Sequence, residues 1–182
     1  MKTNKSFLLA LGLLIIVGSV CRVLGYAPQY AMAIFGAVVI RDKRFAFVLP
    51  LASMLLSDVL YEVLYHYGYA LYGGFYQGQI TNYLLFALIT LIGFWARGKN
   101  WGRIVIAAFA APSIYFLISN FLVWLGGGGL QRPKTFTGLL MCYNDAIPFF
   151  RIALINSIVF SAILFGGYYL LQRYLLPRKQ IA

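Results

Sequence analysis

Only four of the 182 side chains are acidic, and two of them, Asp58 and Glu62, stand four residues apart inside an apolar run. On a helix that spacing puts both carboxylates on one face. Two like charges in a low dielectric need cations, or one of them must hold a proton. Arg22 and Arg151 are the cations expected at that depth. Such a pair fits an ion pair that pins helices, a direct ligand contact, or a proton-coupled transport carboxylate. Other polar and amphipathic groups interrupt the neighbouring apolar runs at comparable places, and they complete a candidate substrate-binding set. Its expected floor is Asp58 and Asn156. Its walls are Tyr61, Glu62, Asn120, Trp124 and Arg151, and part of its cover is Tyr143, Asn144 and Asp145.

No HExxH, GxSxG, phosphate-loop or CxxC motif is present, so no catalytic role is expected, and no cofactor or metal. His66 and Cys142 do not make a metal site by themselves; contact with a metal-bearing ligand, such as a corrinoid cobalt, is the alternative. Cys21 and Cys142 could form a disulfide if both face outward, a matter of geometry that spacing does not decide. The stretch from Tyr61 to Tyr83 carries Tyr65, Tyr67, Tyr69, Tyr72, Phe75 and Tyr76, with Gly68, Gly73, Gly74 and Gly78 between them. It reads either as an interfacial aromatic belt with a flexible loop or as a lid whose rings stack on a flat ligand. A second mobile cover is expected where four glycines open the connection after Leu125.

These groups need a scaffold, and composition indicates its kind. Hydrophobic residues make up 62% of the chain and charged residues 10%, against about 25% charged in a soluble domain. Six apolar segments, at about 7–24, 28–40, 45–65, 80–96, 104–125 and 147–171, predict an all-α integral membrane bundle of six transmembrane helices in a single domain over 1–182. The second segment is short against the ~20 residues a bilayer needs. The first resembles a signal sequence loosely, with Lys2 and Lys5 before the apolar run and Gly25-Tyr26-Ala27 after it, but is expected to remain as a helix.

The net charge of +11 concerns orientation rather than nucleic acid, because no soluble segment is long enough to form a reading module. Lys2, Lys5, Arg41, Lys43, Arg44, Arg97, Lys99, Arg103, Arg173, Arg178 and Lys179 fall on one side of the expected topology, and Arg22, Arg132, Lys134 and Arg151 on the other. The positive-inside rule then predicts cytoplasmic N- and C-termini in a cell's inner (plasma) membrane, with loops 66–79 and 126–146 outside. At ~1.5 Å per residue, Asp58 rises ~20 Å from Phe45 into the outer half of the membrane. Intramembrane ionisable groups usually line a site, so a pocket open to the outside is expected.

Arg22, then Pro28-Gln-Tyr-Ala-Met-Ala-Ile-Phe-Gly-Ala, Val48-Leu-Pro-Leu, Leu56-Ser-Asp, Ser119-Asn-Phe, Trp124, Thr137-Gly-Leu, Cys142-Tyr and Ile147-Pro-Phe-Phe together resemble DUF6580, a family of small bacterial membrane proteins. The overall plan looks like the substrate-binding S components of energy-coupling factor (ECF) vitamin transporters. That resemblance implies an outward-facing site for a vitamin-like small molecule and a membrane coupling subunit with ATPases as partner, alongside the lipid bilayer. S components often dock through Ala-x-x-x-Ala on the first helix; here Ala33 and Ala37 have that spacing in the second segment. Two other classes remain, an MreD-like structural scaffold and a membrane lipid-modifying enzyme.

Overall fold

The computed structural model describes residues 5–98 and 100–174, which form six α-helices: α1 (Lys5–Val23), α2 (Gln29–Val39), α3 (Lys43–His66), α4 (Gln79–Trp95), α5 (Trp101–Gly126) and α6 (Phe136–Tyr174). Helices α1, α3, α5 and α6 are long and apolar enough to cross a membrane; α2 and α4, at 11 and 17 residues, are shorter. The expectation of six spanning helices therefore reduces to six helices, four of spanning length. Leu9, Leu13, Leu84, Ile152 and Ile155 point away from the bundle, as lipid-facing side chains do. One end of the bundle carries the tyrosine-rich loop, 67–78, and the other the basic turns around Arg41 and Arg97. Lys2, Lys99, Arg178 and Lys179, which entered the charge asymmetry, lie outside the described residues.

Helix α2 is the centre. Every residue from Gln29 to Ala37 is buried, and the helix packs on α3, α4, α5 and α6. A short helix that is apolar on all sides is stable only when other elements enclose it. Close approach explains its small residues: a Cβ on Gly93 of α4 would lie 2.7 Å from the Ala37 Cβ and 3.2 Å from the Ala33 carbonyl oxygen. Ala33 and Ala37 are fully buried in this contact. They are packing residues, a use that small residues at that spacing also serve, and they present no docking patch.

Three helices contain proline, and the backbone accounts for two of them. Proline lacks the N–H that would bond the carbonyl four residues earlier. For Pro50 of α3 that carbonyl is Ala46, and the bare backbone of Gly36 packs onto it; a Cβ at Gly36 would sit 2.9 Å away. For Pro112 of α5 the carbonyl is Ala108, and the Ser157 hydroxyl of α6 donates to it at 2.7 Å in a buried position. Helix α6 is thus keyed to the gap that Pro112 makes in α5.

The main departure from the sequence reading is the start of α6. Residues 136–146, expected to be loop, are helical, so the connection after α5 shrinks to 127–135. The four glycines do not form a long mobile cover. Gly127, at φ 74°, ends α5, and the N–H groups of Gly127 and Gly128 bond back to Trp124 and Val123. Thr135 then starts α6, its hydroxyl accepting from the Gly138 N–H at 3.1 Å.

Ser157→Ala should leave the Ala108 carbonyl without a partner and cost ~1–3 kcal/mol. In a Pro112→Ala background the helical N–H returns, and the cost should fall below half. Denaturant unfolding of all four proteins in detergent checks this; equal costs in the two backgrounds would sever the link between Pro112 and Ser157.

Candidate functional site

At the tyrosine-rich end Asp58 of α3 is 2% exposed at its side chain and forms an ion pair with Arg22, near the end of α1. The other carboxylate oxygen accepts from the Gln79 amide at 2.7 Å and the Tyr83 hydroxyl at 2.6 Å, both from α4. Arg22 also donates to the Ser57 hydroxyl and to the Met54 carbonyl at 3.2 Å, while the Tyr61 hydroxyl donates to the Arg22 carbonyl at 3.0 Å. Every oxygen of Asp58 is thus occupied by protein. A buried charge so enclosed joins α1, α3 and α4; it is not presented to a ligand. Below it, the Ser19 hydroxyl donates to the Ser53 carbonyl at 2.9 Å, and the Gln29 amide to the Gly18 carbonyl at 3.1 Å and the Ser53 hydroxyl at 3.2 Å.

Glu62 does not share this pair. Its Oε2 accepts the backbone N–H of Gly74 at 2.9 Å and of Phe75 at 3.4 Å, so main-chain donors stand where a cation was expected. This clamps the 67–78 loop onto α3. Gly74 is required there, because a Cβ would overlap the Asp58 carbonyl oxygen. Tyr67, Tyr69 and Tyr72 of the loop remain exposed.

A separate cavity of about 240 Å³ opens between α2, α5 and α6. Its walls include Tyr30, Tyr115, Phe116, Phe149 and Phe150, with Ser119 and Asn120. Tyr30 is held edge-on to Tyr115, with ring centroids 5.5 Å apart, and Phe116 lies 4.7 Å from Phe150. The Tyr115 hydroxyl donates to Asn82 at 2.6 Å, and Asn82 in turn donates to the Tyr76 hydroxyl of the loop at 2.8 Å. The Asn120 amide nitrogen donates to the Phe116 carbonyl at 2.8 Å, and its oxygen takes no hydrogen bond from the described residues. The Tyr30 hydroxyl is equally unengaged among them although the residue is only 6% exposed.

Of the predicted site residues, then, only Asn120 lines this cavity, and Asp58 and Tyr61 belong to the ion-pair cluster. Trp124 serves the turn after α5: its indole donates to the Pro133 carbonyl at 2.8 Å, Lys134 lies over its ring, and the Lys134 ammonium bonds the Trp124 carbonyl. The Tyr143 hydroxyl donates to the Leu117 carbonyl at 2.8 Å. Asp145 holds Arg132 through two bonds of 2.8 and 3.0 Å, and its carboxylate keeps that guanidinium more firmly charged. Asn144 and Arg151 are exposed, and Arg151 forms no ion pair with any described residue, so it does not complete the wall expected of it. Asn156 is buried on α6, which packs on α2 and α5, whereas Asp58 lies on α3. No hydrogen bond joins the two, and the expected common floor is absent. Cys21 and Cys142 are free thiols, and no group of three or more metal-ligating side chains occurs among the described residues.

Sequence reasoning missed Gln79, Gln29, Tyr30 and Tyr115. A signal existed for the first: Gln79 and Tyr83 stand four apart at the start of α4 and so reach one carboxylate together. Nothing in their spacing marks Tyr30 and Tyr115 as neighbours, since they lie 85 positions apart on α2 and α5.

Asp58→Ala strands Arg22 and should cost ~3–5 kcal/mol. Adding Arg22→Ala should recover part of this, and adding Arg151→Ala none. Simple additivity of Asp58→Ala and Arg22→Ala in thermal unfolding would refute the coupling. Gly74→Ala should lift the loop from Glu62, read as faster proteolysis within 67–78 with the helices intact; an unchanged cleavage rate would contradict the clamp.

The chain matches the family model described as DUF6580, a family of unknown function, over residues 1–179. No curated protein and no solved structure matches it. With a match covering nearly the whole six-helix chain, the protein belongs to the DUF6580 family.

Proposed function

We propose that this protein is a membrane-embedded binding subunit that takes up a small, flat, vitamin-like molecule through the cavity at its tyrosine-rich end. The observation that carries the reading is the pairing of unused hydrogen-bonding groups on Tyr30 and Asn120 with aromatic walls in one cavity. Aromatic walls with a few fixed polar groups are the usual make-up of a small-molecule site. The cavity volume of about 240 Å³ lies just under the ~300–1,000 Å³ of drug-sized sites, which favours a ligand of one or two rings. The chain of bonds from Tyr115 through Asn82 to Tyr76 gives the loop a physical link to the cavity wall.

In this reading the protein sits in the inner (plasma) membrane with both termini cytoplasmic and the tyrosine-rich end outside. It acts in the manner of an ECF S component, with or without a coupling subunit. An MreD-like scaffold is the second reading, and one observation favours it. The carboxylates that argued for a ligand site from sequence are consumed by Arg22 and the loop backbone, as a purely structural bundle would use them.

Native mass spectrometry of the detergent-purified protein tests the proposal. A small molecule should co-purify, and Tyr30→Phe or Asn120→Leu should weaken its binding roughly three- to tenfold, the value of one hydrogen bond, with little change in Tm. Trp124→Ala, which touches the turn and not the cavity, should bind as the parent does. The absence of any bound molecule, or equal loss from Trp124→Ala, would leave the scaffold as the better account.

A further inference from the structure

The basic end holds a second and larger cavity, about 640 Å³, bordered by the ends of α2, α5 and α6 and by the turn after α4. Its lining grades from apolar to charged. Ile40, Ile104 and Phe165 are buried, while Arg41, Trp101 and Gln172 are exposed. Arg97 also lines it and is held in place: its Nε donates to the Ala37 carbonyl at 2.9 Å and its Nη2 to the Ile40 carbonyl at 2.6 Å, where α2 ends. Its Nη1 has no hydrogen-bond partner among the described residues, and neither has the Arg41 guanidinium.

Charge at this end is one-sided. Lys5, Arg41, Lys43, Arg44, Arg97, Arg103 and Arg173 stand against a single acidic residue, Asp42, whose carboxylate is occupied in capping α3 at the Arg44 N–H. The other three acidic residues of the chain, Asp58, Glu62 and Asp145, lie toward the opposite end. Trp101 and Tyr169 meet edge-on at 6.1 Å beside the opening, and such amphipathic rings settle at the headgroup level of a bilayer.

We propose that this cavity is a binding site for one anionic phospholipid of the adjoining leaflet. Arg41 and Arg97 receive the phosphate, and the apolar floor receives the first part of an acyl chain. A guanidinium already fixed by carbonyls loses little freedom on meeting a phosphate and offers it directed N–H donors. An inorganic phosphate would satisfy the arginines but leave the apolar floor uncovered. A zwitterionic lipid would fill the floor but bring its own cation to the arginines.

The test uses the full chain in neutral detergent, with native mass spectrometry against phosphatidylglycerol, phosphatidylcholine and inorganic phosphate. The parent protein should retain phosphatidylglycerol in preference to phosphatidylcholine, and millimolar phosphate should not displace it. Arg41→Gln should weaken retention roughly tenfold or more, the value of one charge-assisted hydrogen bond to the phosphate. Arg44→Gln, at the same end but outside the cavity, should leave retention unchanged, and Val39→Trp, which fills the cavity, should abolish it. Equal losses from Arg41→Gln and Arg44→Gln would reduce the effect to surface charge and overturn the site. So would parent-like binding by Val39→Trp, or no preference between the two lipids. Displacement by phosphate alone would assign the arginines to free phosphate instead. Should Val39→Trp fail to fold, the contrast between the two arginine variants still decides.

Discussion

A carboxylate shut away from water must be neutralised by the protein itself, and Asp58 imposes that demand on the whole tyrosine-rich end. Meeting it draws in Arg22 from α1 and Gln79 and Tyr83 from α4. The same demand fixes the height at which those helices meet, because all three groups must converge on two oxygens. Tyr61 ties the Arg22 backbone back to α3, and the Asp58 carbonyl is packed closely enough by the loop that only glycine fits at 74. One buried charge thus sets the register of three helices and the seat of the loop above them. Such a pair adds little net stability compared with apolar packing, but removing either partner strands the other charge.

A second constraint runs through the remaining polar groups. In apolar surroundings no water satisfies a stray carbonyl or N–H, so the fold must do so. Ser157 serves the carbonyl that Pro112 abandons, and Arg97 serves the end of α2. Most side chains that look functional in such a composition are therefore spent on backbone. Those left over gain meaning from the contrast. Tyr30 and Asn120 in one cavity, and Arg41 with part of Arg97 in the other, keep hydrogen-bonding capacity that no described residue uses.

The two cavities differ in the chemistry they suit. The one between α2, α5 and α6 is small, aromatic and neutral, and its polar groups are the Tyr30 and Tyr115 phenols, the Ser119 hydroxyl and the Asn120 amide. The one at the basic end is larger, cationic at the rim and apolar within. Helix α2 contributes to both, with Tyr30 near its start and Val39 at its end. It is also enclosed by four other helices, so a change at one end is opposed by packing along its whole length.

What the amino-acid sequence determined alone was whatever depends on neighbours along the chain. Long apolar runs set the six helices and, to within a few residues, the ends of five. The sparse acidic residues marked Asp58 as a position needing a cation and offered Arg22 and Arg151 to it, of which the fold uses Arg22. The start of α6 escaped because Asn144 and Asp145 look like loop and Pro148 suits the first turn of a helix, while the Thr135 cap that begins the helix is a single hydroxyl. Only tertiary structure decided which polar groups were consumed and which left open. Glu62 turned to backbone N–H groups, Asn156 and Asp58 ended on helices that pack apart, and Tyr30 met Tyr115 across 85 positions. The physical reason is that hydropathy sums over adjacent residues, whereas a hydrogen bond or a cavity exists only where groups from distant segments come within a few ångströms.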